Sequence, residues 1–322
     1  MSASLRRLGR VVLLSERRPT RAAPWGAELE RLLAGRTLGV AFQPILRRQP
    51  AGAGDSRWRV CGTEALLRAR ADRRPALRPD KLLPVIARAG LMHRVFEFVL
   101  AESLAAARTW EREAALKLDV SVNMHASALL DDALPHFLLG LLDAVGLAPA
   151  RLTLELTENA PIADLQRAAA NARLLRRSGV RLALDDFGVG FSTATRLAWI
   201  ECDELKIDRA AVRGMEHCEE QACLVEHLVT LAHGRGMTAC AEGVETEAAL
   251  GMLAALGCDR VQGYYIARPA EAPAVPELAR DWHARSAVWR AAEAIQMSLP
   301  GLSADADFAA ELWPEASRNA GV

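Results

Sequence analysis

The chain predicts an α/β fold, a closed (β/α)8 barrel, on three observations. Roughly eight short apolar runs alternate with helical segments through one continuous span. Most of those runs end on a polar residue, as barrel strands do where their C-terminal tips open into a site. No glycine-rich phosphate fingerprint follows the first run, which counts against the competing doubly wound open sheet.

Residues 1–36 are rich in Arg, Ala and Pro; the first twenty read as a basic flexible arm and Glu28–Leu33 as the start of a helix. Val40–Leu46 is the first apolar strand, and after an Arg-, Gly- and Ala-rich loop Trp58–Leu67 is the second, carrying Glu64. Pro79–Gly90 and Met92–Trp110 place Leu82, Leu83 and Ile86, then Val95, Phe98 and Val99, at helical spacing. Leu118–Asn123 alternates as a strand. Ala126–Val145 is helical with a break near Pro135, Leu152–Glu158 is a strand and Ile162–Ser178 a helix. Val180, Leu182 and Leu184 then lead into Asp185, Asp186 and the glycine-rich Gly188-Val189-Gly190. Glu204–Ile207 is a short strand, Gln221–Arg235 a helix, and Met237–Ala241 a strand ending in Glu242-Gly243-Val244-Glu245. Glu247–Leu256 is a helix and Arg260–Gln262 the last strand. After Pro269 the alternation stops; Pro276–Ser298, with Leu278, Trp282, Val288 and Ile295, reads as one or two amphipathic helices, and the tail from Ser303 carries no pattern. The expected division is a basic arm and short helix at 1–36, the barrel at 37–270 and a helical extension with a flexible tail at 271–322.

Apolar residues make up 51% of the chain, and 40 basic residues balance 40 acidic ones. No global field therefore favours a nucleic-acid polymer or an anionic membrane. The six cysteines, Cys61, Cys202, Cys218, Cys223, Cys240 and Cys258, show neither paired metal spacing nor a disulfide framework, and read as buried free thiols in a reducing compartment. No apolar run approaches the roughly 18–20 residues of a membrane helix. Val11–Leu14 is too short for a signal-peptide core. The expectation is a soluble, cytoplasmic protein with no transmembrane segment.

The strand ends carry Glu64, Asn123, Glu155, Asp185 with Asp186, Lys206, Glu242 and Gln262. Adjacent aspartates repel each other unless cations neutralise them, which points to hard divalent metals. Solvated acids at a turn would explain Asp185-Asp186 alone, but not seven polar ends in succession. Five acids, two amides and one lysine converging on a rim suit two Mg²⁺ or Mn²⁺ ions, the pairing that serves phosphate-ester displacement. No histidine-rich zinc signature is present, and His125 reads as a polar residue at a loop edge. Lys206 either pairs with a carboxylate or holds an attacking water. A Schiff-base role for it is disfavoured, because acids keep a lysine protonated.

Glu64-Ala65-Leu66-Leu67-Arg68 resembles the signature of the EAL-domain family of bacterial cyclic di-GMP phosphodiesterases. Seven further segments follow in that family's order: Phe42-Gln43-Pro44-Ile45, Ser121-Val122-Asn123, Leu154-Glu155-Leu156-Thr157-Glu158, Asp185-Asp186-Phe187-Gly188, Leu205-Lys206-Ile207-Asp208, Glu242-Gly243-Val244-Glu245-Thr246 and Gln262-Gly263-Tyr264-Tyr265. The resemblance implies a TIM-like barrel whose first strand is antiparallel to the rest. It implies that Glu64, Asn123, Glu155 and Asp185 bind one metal, and Asp185, Asp186 and Glu242 the second or its waters. Lys206 would contact the nucleophilic water, with Glu242 as the other candidate base. Gln43 and Arg68 would contact the dinucleotide, Gln262 would support the site, and Glu158 and Glu245 would brace the loop after Asp186. The implied reaction is hydrolysis of cyclic di-GMP to linear pGpG by a homodimer; the alternative is a weak or inactive cyclic di-GMP receptor or protein-interaction module. Three positions depart from the family pattern: Val189 for Thr, His125 for Ser, and Ala69 for Trp. None removes an implied ligand.

Overall fold

The computed structural model describes residues 38–49, 58–69, 79–88, 90–157, 163–188, 197 and 200–298, without the side chains of 69, 79–82, 85 and 287–298. The expected arm and helix before residue 37, the loop at 50–57, Glu158, Val189 and the tail lie outside those residues.

Eight strands close into a barrel. β1 (Leu38–Arg48) and β2 (Trp58–Ala69) form an antiparallel hairpin. β3 (Asp119–His125), β4 (Leu152–Thr157), β5 (Arg181–Phe187), β6 (Glu204–Ile207), β7 (Thr238–Ala241) and β8 (Arg260–Val261) then pair in parallel, each with the next. β8 pairs antiparallel with β1, which closes the ring with its first strand reversed. A two-residue strand, β9 (Ala270–Glu271), adds to β1 beyond Pro269, where the sequence reading expected the pattern to stop. Two backbone pairings are too few residues to leave a periodic trace.

Alternation along the strands decides what faces where. Val120, Val122 and Met124 on β3, Leu152, Leu154 and Leu156 on β4, Leu182 and Leu184 on β5, and Leu205 and Ile207 on β6 are all buried and share one parity. They face the helices, each contributing about 1.5–3 kcal/mol of burial. The opposite parity, which faces the barrel axis, is polar: Ser121 and Asn123, Thr153 and Glu155, Glu204 and Lys206, Arg260 and Gln262. This second parity makes both ends of the barrel chemically interesting.

Among the described residues the α-helices are α1 (Pro79–Arg88), α2 (Met92–Ala114), α3 (Leu134–Val145), α4 (Leu165–Arg177), the one-turn α5 (Arg209–Val212), α6 (Glu219–Gly234), α7 (Glu247–Ala255) and α8 (Val275–Ser298). Their ends follow capping chemistry. Asp164 accepts from Arg167 N at 3.0 Å to start α4, Thr246 accepts from Ala249 N at 3.1 Å to start α7, and Gly146 ends α3 at φ +73°. The break expected near Pro135 falls earlier: a 3₁₀ turn (Ala126–Leu130) precedes α3, with Pro135 in its first turn. The extension is the single helix α8, packed on β1 and β2 through the indole of Trp282, which donates to Trp58 O at 3.2 Å. The cysteines are free, but only Cys202, Cys240 and Cys258 are buried; Cys223 is exposed on α6, which corrects the expectation of six buried thiols. No helix among the described residues is long and apolar enough to cross a membrane.

Candidate active site

Closure of the barrel brings the polar strand ends together at one rim. Lys206 Nζ, wholly buried at the end of β6, lies 2.6 Å from Glu155 Oε2, 2.5 Å from Glu242 Oε1, 3.0 Å from Asp185 Oδ1 and 3.9 Å from Glu64 Oε2. Residues separated by up to 178 positions in the chain thus meet around one ammonium. Asn123 Nδ2 donates to Glu64 Oε1 at 2.8 Å, and Gln262 Nε2 donates to Glu64 Oε2 at 2.7 Å and to Gln43 Oε1 at 3.0 Å. Gln43 stands directly opposite Glu64 in the hairpin register and donates to Ala267 O at 3.1 Å. The reversed direction of β1 is what places Gln43 at this rim.

Asp185 and Asp186 diverge. The β5–β6 register shifts between Leu184 and Phe187, and Asp186 holds a left-handed φ of +54°. Such a conformation costs a non-glycine residue about 1–3 kcal/mol, and a bulge of this kind re-aims side chains. The result turns Asp185 inward to Lys206 and leaves Asp186 at the mouth of the site, partly covered and near the carboxyl of Asp208. Asp208, which also caps α5 by accepting from Ala210 N at 2.7 Å, was part of a recognised segment in the sequence but was given no role. Its only signal is its place two residues beyond Lys206.

The electrostatics are one-sided. Five carboxylates, those of Glu64, Glu155, Asp185, Asp186 and Glu242, share the rim with one ammonium, leaving a formal excess of four negative charges. Burial pushes the Glu155 carboxyl well above its usual range, opposed by Lys206 and reinforced by Glu64, Asp185 and Glu242. Burial likewise raises Glu242 to about 8, and burial with the charges of Asp185 and Asp208 raises Asp186 to about 6. Burial opposes the charge on Lys206, but Asp185, Glu155, Glu242 and Glu64 together outweigh it and hold its pKa well above that of a free lysine. A lysine so held does not offer a neutral amine, which argues against the Schiff-base reading.

The donor set fits hard divalent cations. Ligand oxygens of Asp185, Asp186 and Glu242 lie within 4.8 Å of one another, and Glu155 Oε1 is buried without a hydrogen-bond partner. Buried carboxylate oxygens are rarely left so unless a cation completes them.

Arg68 is half-buried on β2, donates to Leu67 O at 2.9 Å, and feels the nearby Tyr264 and Glu64. Glu245 lies at the rim in an exposed ion pair with Arg213 at 3.4 Å. The ring of His125 accepts from Ser127 N at 3.3 Å, starting a 3₁₀ turn, away from the carboxylates.

Residues 27–269 match the family model described as the EAL domain. The chain is 36% identical over 248 residues to an uncharacterized signaling protein of Caulobacter vibrioides, covering 77% of this chain and 29% of that one. It is 31% identical over 242 residues to MucR of Pseudomonas aeruginosa, a bifunctional diguanylate cyclase/cyclic di-GMP phosphodiesterase, covering 75% and 34%. The chain thus spans about a third of the length of these relatives. The solved MucR phosphodiesterase in complex with c-di-GMP superposes with a TM-score of 0.68 at 30% identity, covering 77% of this chain and 98% of that one. The FimX EAL domain of Pseudomonas aeruginosa, at 21% identity and a TM-score of 0.65 over 77% and 97%, shares the fold. With its signature at Glu64-Ala65-Leu66 and its acidic rim in place, the chain belongs to the EAL-domain family.

Proposed function

We propose that this chain is a two-metal phosphodiesterase that hydrolyses one phosphodiester of cyclic di-GMP to linear pGpG. The observation that carries the reading is the rim itself: four carboxylates converge on Lys206, Asp186 stands beside them, and a buried oxygen of Glu155 is left unpartnered. The likeness to MucR, whose solved form is a phosphodiesterase with c-di-GMP, supports the choice of substrate.

Glu64, Asn123, Glu155 and Asp185 would hold one Mg²⁺ or Mn²⁺, and Asp185, Asp186 and Glu242 the other. When bound, such a pair supplies Lewis acidity that stabilises the attacking and leaving oxygens of the displacement. Lys206 orients the attacking water and meets negative charge as it develops. Glu242, 2.5 Å from Lys206, would be the other candidate to take the water's proton. Arg68 offers a guanidinium fork to a phosphate, Gln43 stands across the hairpin opposite Glu64, and Gln262 fixes Glu64 and Gln43 in place. Glu245, and by sequence Glu158, would brace the loop after Asp186.

The test is incubation with cyclic di-GMP and Mg²⁺ or Mn²⁺, followed by chromatography. Linear pGpG that appears with metal and not with EDTA is expected. Binding of cyclic di-GMP without any product would make the chain a receptor instead.

A further inference from the structure

We propose that the base of the barrel, opposite the acidic rim, is a second binding site for a mononucleotide-sized ligand that joins an anionic group to an N–H donor. A cavity of about 660 Å³ opens there at the strand starts, bordered by Arg47, Arg48, Thr153, Arg181, Glu204 and Arg260 among others. Its volume is within the roughly 300–1,000 Å³ of small-molecule sites and far above the ~30 Å³ share of one water.

Its lining is unevenly satisfied. Glu204 and Thr153 are both more than nine-tenths buried, yet Glu204 Oε1 and Thr153 Oγ1 have no hydrogen-bond partner within the protein, nor does Arg181 Nε. The cavity therefore offers one buried acceptor, one hydroxyl and one donor, which a ligand with both an N–H and an acceptor would complete. Two further cations stand with weak partners. Arg47 is exposed and meets a carboxylate only at 3.7 Å, and Arg48 makes two long bonds, at 3.3 and 3.4 Å, to the carbonyls of Ala254 and Gly257. The remaining carboxylates at this end are engaged elsewhere: Asp203 with Arg176 at 2.8 Å and Leu182 N at 2.9 Å, Asp259 with His233 at 2.8 Å and Ala239 N at 2.9 Å. An anion is thus welcome beside Arg47 and Arg48, while an N–H reaches Glu204. Guanine carries such a donor, N2–H, on one side of the base and the O6 and N7 acceptors that suit a guanidinium on the other.

The position couples the two ends. Glu204 lies two residues before Lys206 on β6, Thr153 two before Glu155 on β4, and Arg260 two before Gln262. Each pair consists of consecutive inward-facing side chains, so a ligand at the base touches the floor beneath the acidic rim.

The test is calorimetric titration of the full chain without divalent metal, so that turnover plays no part, using GMP, inorganic phosphate and guanosine separately. GMP should bind saturably, with phosphate alone and guanosine alone each at least about tenfold weaker. Arg47→Gln and Thr153→Val should each weaken GMP by about tenfold or more, while Arg68→Ala at the rim leaves it unchanged. No saturable GMP binding up to about 1 mM would make the base a water-filled structural cavity and overturn the proposal. GMP binding lost in Arg68→Ala and kept in Arg47→Gln would place the nucleotide at the rim, and would overturn it equally.

Discussion

At the C-terminal ends of the strands four carboxylates surround a single lysine, with a fifth, Asp186, beside them; two to four residues earlier on the same strands, carboxylates and guanidiniums interlock. Asp119 at the base lies 2.6 Å from Arg181, 3.3 Å from Arg151 and 3.6 Å from Arg260, and Arg260 reaches Glu204 at 2.9 Å. Burial opposes the charge on Arg260, and Glu204 is the chief group that keeps it charged. Both ends are buried and ionic, but only one is balanced. A balanced network resists losing a member, because the partner is left as an uncompensated buried charge. An unbalanced one holds its excess in readiness for something that arrives later. The lesson is that burial of charge does not by itself mark a cation site; an excess of one sign does.

Activity gives the sharpest way to break this contrast. Glu64→Ala or Asp185→Ala should lower turnover of cyclic di-GMP by about 10³-fold or more, the several kcal/mol of charge stabilisation that a metal site supplies. Steady-state rates at saturating metal check it, and an undiminished rate in either variant would mean that the rim does not hold the catalytic cations. Next in size is stability. Glu204→Gln should destabilise the fold by about 3–5 kcal/mol, because Arg260 loses its main partner. Glu242→Gln should leave the metal-free protein no less stable near neutral pH, since it replaces a carboxyl already protonated there with an amide of the same shape. Urea denaturation of both variants separates the two ends; equal losses would erase the distinction drawn here.

The rim should also read pH where the base does not. The folded pKa of Glu242, about 8, lies above its ordinary 4.5, so the native state holds an extra proton between those values. Stability of the metal-free protein should therefore fall as pH rises through that window, and Asp186, raised to about 6, adds to the fall over its lower part. Added Mg²⁺ or Mn²⁺ should flatten the slope, as followed by melting temperature against pH with and without metal. A metal-free slope of the opposite sign would show that the carboxylates are not under mutual strain. The smallest effect separates two cations at the rim: Arg68→Ala should mainly raise KM, by about tenfold, and Lys206→Ala should mainly lower kcat. The reverse split would exchange their roles.

The rim was legible in the sequence because each of its members ends an apolar run, so a period of two and a strand tip sufficed to find it. Lys206, Glu155 and Glu242 were named from that pattern alone. The base was not legible. Asp119, Glu204 and Arg260 sit at strand starts, where a charge ordinarily reads as solvated, and nothing local records that barrel closure sets Asp119 against Arg260 across 141 positions. The left-handed turn at Asp186 was equally hidden, since an aspartate pair gives no sign of which member will turn outward. The one-turn helix α5 and the two-residue β9 are shorter than any periodicity can register.

The reversed direction of β1 also decides where a mechanical load on this protein would be felt. Leu38 pairs with Ala69 at the rim end, and Gln43, opposite Glu64, is only five residues further along. At about 3.4 Å per residue, a tether joined ahead of Leu38 pulls on the barrel within about 17 Å of the Gln43–Glu64 pair. Had β1 run with its neighbours, the same tether would have pulled at the far end. Tension from upstream, whether from an immobilising surface or a fused probe, is therefore delivered to the strand pair that lines the acidic rim.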